Sequence, residues 1–531
     1  MSHTLAVDLG TGSCRAIVFD AAGQQLGSGQ REWSHAALAG HPGSQVFDTG
    51  RNWHLICECI AQAVAESGVT ASDIAAVSSS SMREGMVLYD RAGREIWACP
   101  NVDSRAGAQA DRLVRDGRAR RIFEHGGDWV SITSPARFLW IREHEPETFA
   151  AIAHVGMLSD WVLTKLSGRF VTDPSCGSSS NLFDLRGRTW APGSLAMIGL
   201  SPEVMPEVLE PGTVMGEVSA SAAEQTGLAR GTPVVVGGAD TQLALIGIGA
   251  VRPGALTLIG GSFWQLTLVT DEPLIDPQVR VRTLCHALPG QWMTEGIGFY
   301  CGIVMRWLRD GLCDLERAEA ERRGVDAYAV MEEAAAQVPP GSNGLLAIFS
   351  NIMDIQRWVQ ATPSFVGFDV EDPARTDRRA CIRAVEEQAA YASRGHLDIL
   401  RELAGRSFDE VWFTGGGAKG RLWPQIVADV LGVTVRLPVV KESTALGAAL
   451  FAGLGAGLYG DLAAVTRDIV RVERTVEPGQ AAQAIYDEAF ARWSAVYPRI
   501  LGLAEDRLMP PMWWPAGADA NAPLPPSTSH P

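Results

Sequence analysis

The chain of 531 residues is roughly twice the length at which a single hydrophobic core stops growing, so two large domains are expected. Its 46% apolar and 20% charged residues exclude a disordered or fibrous chain. A formal charge of −16 sets a field that repels nucleic acid and anionic membranes, so neither is expected as a partner.

The N-terminal MSHTLAVDLG reaches Asp8 without a charged and then apolar leader. LAVD, GTGS and RAIVF then read as two apolar strands joined by a Gly-rich turn, a β-hairpin. Asp8 stands at a strand end, Thr11, Gly12 and Ser13 offer backbone N–H groups that can converge on an anion, and Arg15 follows. Phosphate chemistry uses such parts, amides as a cradle and a carboxylate to hold hydrated Mg²⁺; a plain hairpin with an Asx-type turn uses the same residues.

A helical pattern covers residues 52–67, and SMREG at 81–85 closes an apolar segment with Arg83 beside Glu84. That pair suits a polyhydroxy substrate, the Arg donating to oxygens and the Glu accepting from hydroxyls, and it equally suits a surface ion pair. TPVVVGGADTQLALIG reads as a strand ending in Gly237 and Gly238, with Asp240 opening a helix. The two halves are expected to meet near residues 247–254. Beyond them ALTLIGGSFWQLTLV repeats the strand, Gly turn, strand device; Gly260, Gly261, Ser262 and Gln265 interrupt it, which excludes a membrane span.

Residues 378–403 are helical, with Ile382, Val385 and Ala389 at helical spacing, and VWFTGGGAKGRLWPQIVADVLG gives strand, Gly-rich turn and amphipathic helix. GGGAKG matches GxGxxG after a strand, with Glu442 about twenty residues on, so a dinucleotide-binding dehydrogenase is a rival reading. A Walker loop is excluded, because none of the three lysines (Lys165, Lys419, Lys441) follows a glycine. There is no HExxH zinc helix and no GxSxG elbow. Nine cysteines without a CxxC pair read as reduced and mostly buried.

In chain order, DLGTGSCRAIVFD, SMREGMVLYD, NVDSRA, SDWVLTKLSGRFVTDPS, GTPVVVGGADTQ, the helix around AVEEQAAYASR, FTGGGAKGRLWPQIVADVLG and KESTALGAALFAG together resemble the FGGY family of carbohydrate kinases. The resemblance covers residues 4–505 and implies an α/β fold of two actin-like (ribonuclease-H-like) domains with an interdomain active-site cleft. Residues 1–250 would supply the substrate side and first phosphate loop, 251–505 the nucleotide side, and 506–531 a Pro/Ala-rich, disordered or loosely docked tail. It further implies a cytoplasmic enzyme with ATP and Mg²⁺ as cofactors and a small-molecule substrate, and leaves a homodimer open.

Carried over by motif, Asp8 resembles the family's Mg²⁺-associated aspartate, and Thr11, Gly12, Ser13 and Arg15 its first phosphate loop. Arg83 and Glu84 resemble a substrate-binding pair, Asp103 falls in a motif near the substrate, and Asp240 resembles the catalytic base, itself in contact with substrate. Gly260, Gly261 and Ser262 match the second phosphate turn; Gly415, Gly416, Gly417, Gln425 and Asp429 match the adenosine-side motif, which accounts for GGGAKG without a dinucleotide. Gly261 stands where the family usually has Thr, so a hydroxyl contact to phosphate is missing, with Ser262 or a backbone amide to replace it. Within the family, FDTGRNWHLICEC, IWACPNVDSRA, GGSFWQ, MRWLRD and PVVKESTALG go beyond the consensus and imply phosphorylation of the terminal hydroxyl of 4,5-dihydroxy-2,3-pentanedione. Another pentulose or polyol substrate (xylulose, ribulose, glycerol) and a non-catalytic actin-like ATP sensor are the alternatives.

Overall fold

Apolar alternation in the first residues builds the sheet that carries one side of the site. β1 (His3–Leu9), β2 (Ser13–Asp20) and β3 (Gln25–Glu32) form an antiparallel meander, and the hairpin expected at the N-terminus is its first two strands. Leu5, Val7 and Leu9 face one apolar layer while Ala6 faces another, so the sheet is buried on both sides. α1 (Thr49–Ser67), N-capped by Asp48 and ended by Gly68 in the left-handed region, covers the first face with Trp53, Ile56 and Ile60. The computed structural model describes residues 2–356, 359–439 and 442–512.

β4 (Ile74–Ser81) then pairs parallel with β1, α2 (Leu158–Ser167) packs on the same face as α1, and β5 (Val214–Glu217) and β6 (Pro233–Ala239) complete the order β5-β6-β4-β1-β2-β3. α3 (Asp240–Gly247) starts at Asp240, as the sequence pattern predicts. The second sheet repeats this plan. β7 (Leu256–Gly260), β8 (Trp264–Thr270) and β10 (Trp292–Gly298) are antiparallel neighbours, with β9 (Arg282–Cys285) on the edge. α4 (Cys301–Leu312) and α5 (Arg378–Ala404) follow, and β11 (Glu410–Thr414) and β12 (Thr434–Pro438) add in parallel beside β7, with α6 (Leu422–Leu431) between them. β13 (Val472–Val476) closes the other edge. Both sheets therefore run meander, then two parallel strands, the duplicated architecture that the two strand–turn–strand segments predict.

Residues 248–255 connect α3 to β7, but the halves also exchange cover. α7 (Ser443–Gly455) follows the second sheet and yet packs on the first, its Ala445, Ala448 and Ala452 against Ala6, Ala76 and Val235. α3 in turn directs Leu245 onto Val269, Leu284 and Met293 of the second sheet. The two helices cross at glycines: a Cβ on Gly247 would lie 2.0 Å from the Ser443 carbonyl oxygen, and one on Gly447 2.0 Å from that of Leu243. Only glycine permits backbones to approach so closely.

α8 (Gln480–Glu505) ends where the kinase-like resemblance ends. Of the tail expected over 506–531, the first residues are docked, the Met512 N–H donating to the Ala361 carbonyl and the Thr362 hydroxyl to that of Pro510. Residues 513–531 lie outside the described residues. All nine cysteines are free and buried, and among the described residues no helix is long and apolar enough to cross a membrane.

Candidate active site

Parallel neighbours β1, β4 and β6 end side by side, and at their carboxyl ends stand Asp8, the Met82–Gly85 turn and Asp240. Open α/β sheets bind ligands at that edge. Asp8 is half-buried opposite Arg15, and its carboxyl is pushed up to about 7 by burial and by Asp240 and Glu442, against the pull of Arg15. Arg15 itself is paired with Glu442 from the other half of the chain. Asp240 and Glu442 lie close enough to Asp8 to raise its carboxyl, and carboxylates grouped in this way suit a hydrated divalent cation, which Asp8 would hold.

Asp240 is half-buried, and burial raises its proton affinity while Arg83 opposes the shift. Its Oδ1 accepts the Thr241 N–H at 2.6 Å. The peptide before it is fixed from below: the Ala239 N–H donates to Ser175 Oγ at 2.9 Å, and that hydroxyl donates to Asp173. In the first turn, Trp33 pins the backbone, its indole N–H donating to the Gly10 and Thr11 carbonyls at 3.1 Å. Thr11 and Gly12 stay exposed and Ser13 is half-exposed.

Arg83 and Glu84 are neighbours in sequence but are buried and bond different partners, which corrects the alternative reading of a surface ion pair. Arg83 bonds Glu295 of β10 at 2.8 Å, and Glu84 accepts from Arg282 of β9 at 2.9 Å. Arg282 also reaches Glu295 at 2.6 Å and Asp128 at 3.3 Å. All five side chains are buried, so this is a cross-domain network whose loss of one member strands the others. Burial raises Asp128, whereas Arg83 and Arg282 overcome burial at Glu295 and hold it below the ordinary carboxylate range. Glu84 sits at φ 61°, a left-handed backbone unusual outside glycine, and Arg137 donates to its carbonyl. Arg137 also donates to the Asn101 and Asp103 carbonyls, at 3.0 and 2.9 Å, and thereby ties Asp103 to this turn. One oxygen of the Asp103 carboxylate accepts from the Gln45 N–H and from Arg105, each at 2.7 Å, while the other is buried with no hydrogen-bond partner among the described residues.

Across the cleft, the second sheet brings its two Gly turns together. Gly415, at φ +93°, lies where a Cβ would be 2.7 Å from the Gly260 carbonyl oxygen, so the turns touch backbone to backbone. They border a cavity of about 440 Å³ whose wall includes Gly260, Gly261, Ser262, Gly416, Gly417 and Trp423. Gln425 and Asp429 are elsewhere. Their side chains bond each other at 2.8 Å, and Asp429 accepts the Gly479 N–H at 2.7 Å, so they fasten α6 to the start of α8 and do not line the cavity.

Sequence reasoning missed Arg282, Glu295, Asp128 and Arg137. A single carboxylate inside the otherwise uncharged strand WMTEGIG was the available signal for Glu295.

The FGGY family of carbohydrate kinases matches through its N-terminal domain over residues 3–247 and its C-terminal domain over residues 259–456. The chain is 43% identical over 522 residues to the autoinducer-2 kinase of Klebsiella pneumoniae subsp. pneumoniae, covering 98% of each chain. It is 42% identical over 514 residues to that of Salmonella typhimurium, covering 96% of this chain and 97% of the other. Among solved structures, the xylulose kinase from Rhodospirillum rubrum superposes with a TM-score of 0.83 at 26% identity, over 94% of this chain and 99% of the other.

Proposed function

The chain belongs to the FGGY family of carbohydrate kinases, and from that premise we propose that it transfers the terminal phosphoryl group of ATP to the terminal hydroxyl of autoinducer-2, 4,5-dihydroxy-2,3-pentanedione. The observation that carries the reaction type is the convergence of Asp8, Asp240 and the Arg83–Glu84 turn at one sheet edge, together with the meeting of two Gly turns beside a cavity in the other sheet. The substrate reading is supported by the near-full-length likeness to autoinducer-2 kinases. On this reading the enzyme works in the cytoplasm, where ATP is supplied.

In the proposed mechanism Asp240 accepts the proton of the attacking hydroxyl, its raised proton affinity suiting it to general-base work. Arg83 and Glu84 orient the substrate, and Arg15 is placed to move from Glu442 to a phosphate oxygen. Asp8 would hold Mg²⁺, which when bound would neutralise charge on the phosphate oxygens. Backbone N–H groups of the turns at 10–13 and 260–262 cradle the phosphates, with Ser262 or an amide serving where Gly261 lacks a hydroxyl. The cavity beside Gly260 and Gly416 takes the nucleoside. Closure of the two halves keeps water from the transfer.

The test is ADP release from ATP with pentanedione, xylulose, ribulose and glycerol in parallel. A preference for pentanedione is expected. A preference for xylulose, which the likeness to the Rhodospirillum rubrum enzyme favours, would leave the kinase and overturn the substrate. ATP binding without turnover on any of them would mean a sensor, a reading that the presence of both Asp8 and Asp240 in the cleft disfavours.

A further inference from the structure

Two polar atoms on the wall of the cavity beside the Gly turns have no partner among the described residues, the Trp264 indole N–H and one carboxyl oxygen of Glu386. Glu386, on α5, is 4% exposed, and its Oε2 has no hydrogen-bond partner among the described residues. The acids around it are used. Glu332, on the same cavity wall, accepts the N–H groups of Arg421, Leu422 and Trp423 at 3.0, 2.7 and 3.3 Å, capping the start of α6. Glu387 accepts from the Gly341 N–H, Ser342 Oγ, Arg383 and the Tyr486 hydroxyl at 2.7–3.0 Å. Glu386 alone of these three is left with an unspent oxygen, on a wall that also carries Met305, Met331 and Trp423. A buried carboxyl without a partner carries a desolvation cost that an apolar side chain avoids, so its presence calls for a ligand.

Its backbone is held in place as well. The Trp423 indole N–H donates to the Glu386 carbonyl at 3.0 Å, and Trp423 rests against Trp264 with ring centroids 4.9 Å apart. Burial and then the neighbouring Glu332 push the Glu386 carboxyl well above the usual range, which favours its protonated form; a protonated carboxyl presents an O–H donor beside a C=O acceptor. A 6-aminopurine presents the complement on its edge: a ring-nitrogen acceptor next to an amino donor.

We propose that Glu386 reads the base of the nucleotide, its carbonyl oxygen accepting from the 6-amino group and its O–H donating to the adjacent ring nitrogen. The inference rests on the reading of this cavity as the nucleoside site.

The experiment measures dissociation constants for ATP and for purine riboside triphosphate, which lacks the 6-amino group, together with the melting temperature of the unliganded protein. The parent should bind the deamino analogue about tenfold more weakly than ATP, the loss expected for one buried hydrogen bond. Glu386→Leu should bind ATP about tenfold more weakly, lose the discrimination, and melt no lower than the parent. Glu386→Gln, which keeps a donor and an acceptor, should stay within about threefold of the parent for ATP. Undiminished discrimination in Glu386→Leu overturns the proposal, as does a fall in melting temperature with ATP affinity intact, which marks a structural role. Ala329→Trp, which fills the cavity from another wall, separates the two readings. If it leaves ATP affinity intact, the cavity is not the nucleoside site and both readings fall; if it abolishes binding while Glu386→Leu has no effect, the assignment of Glu386 alone falls.

Discussion

Asp240 and Asp8 face one another electrostatically but are assigned different work, and substitution separates them. Asp240→Asn preserves shape and the Thr241 contact while removing the base, so kcat should fall by about 10² or more with ATP affinity retained. Near-normal turnover would take Asp240 out of the mechanism. Asp8→Ala should instead raise the Mg²⁺ concentration needed for half-maximal rate, and an unaltered Mg²⁺ titration would refute its assignment. Arg83 is committed to Glu295 yet still contributes charge at Asp240. Arg83→Ala should lower kcat/KM for pentanedione by about 10² or more, because substrate oxygens are left unpaired in a closed cleft. Basal ATP hydrolysis should change much less. Equal specificity constants for parent and variant on pentanedione, xylulose and glycerol would remove Arg83 from the substrate site.

Among the elements, the crossing of α3 and α7 is the one whose sequence requirement is most stringent. Gly447→Val puts branched carbons where the Leu243 carbonyl lies, so overpacking should cost about 1–3 kcal/mol or more and appear as a lower melting temperature. An unchanged melting temperature would mean that the helices separate freely. α5 offers a test by pH. His396, fully buried, accepts the Met353 N–H at 3.0 Å, and burial holds its pKa down to about 4. Between pH 6.5 and 4 the unfolded chain takes up a proton that the folded chain refuses. The stabilisation is therefore complete above 6.5 and is lost as pH falls through 4, by roughly 3 kcal/mol. Denaturant midpoints measured across that window should slope less steeply in His396→Gln, whose amide oxygen can accept the same N–H; equal slopes would exclude this histidine as the source.

At the scale of the whole molecule, the exchange of α3 and α7 makes the halves interdependent. A fragment of residues 1–250 lacks α7 and exposes Ala6, Ile17 and Phe19, so it should be soluble only as a loosely packed state, while the full chain unfolds in one calorimetric transition. A cooperative, native-like 1–250 fragment would contradict this. Local pattern was enough to read the hairpin at Asp8, the helix start at Asp240, the Gly turns and the repeated plan, because strand periodicity, turn residues and caps are interactions over a few positions. Motif order then carried the family. What the sequence could not disclose was which residues meet across the cleft. Arg83 and Glu84 look like a local pair, but the network joins them to partners 212 and 198 residues away. Gln425 and Asp429, one turn apart beside a Gly-rich loop, face α8 instead of the cavity, and α7 abandons its own sheet for the other. Spacing along a chain determines which side chains share a strand or a helical turn; the burial of both sheets and the close packing of the halves decide which charges must then find each other.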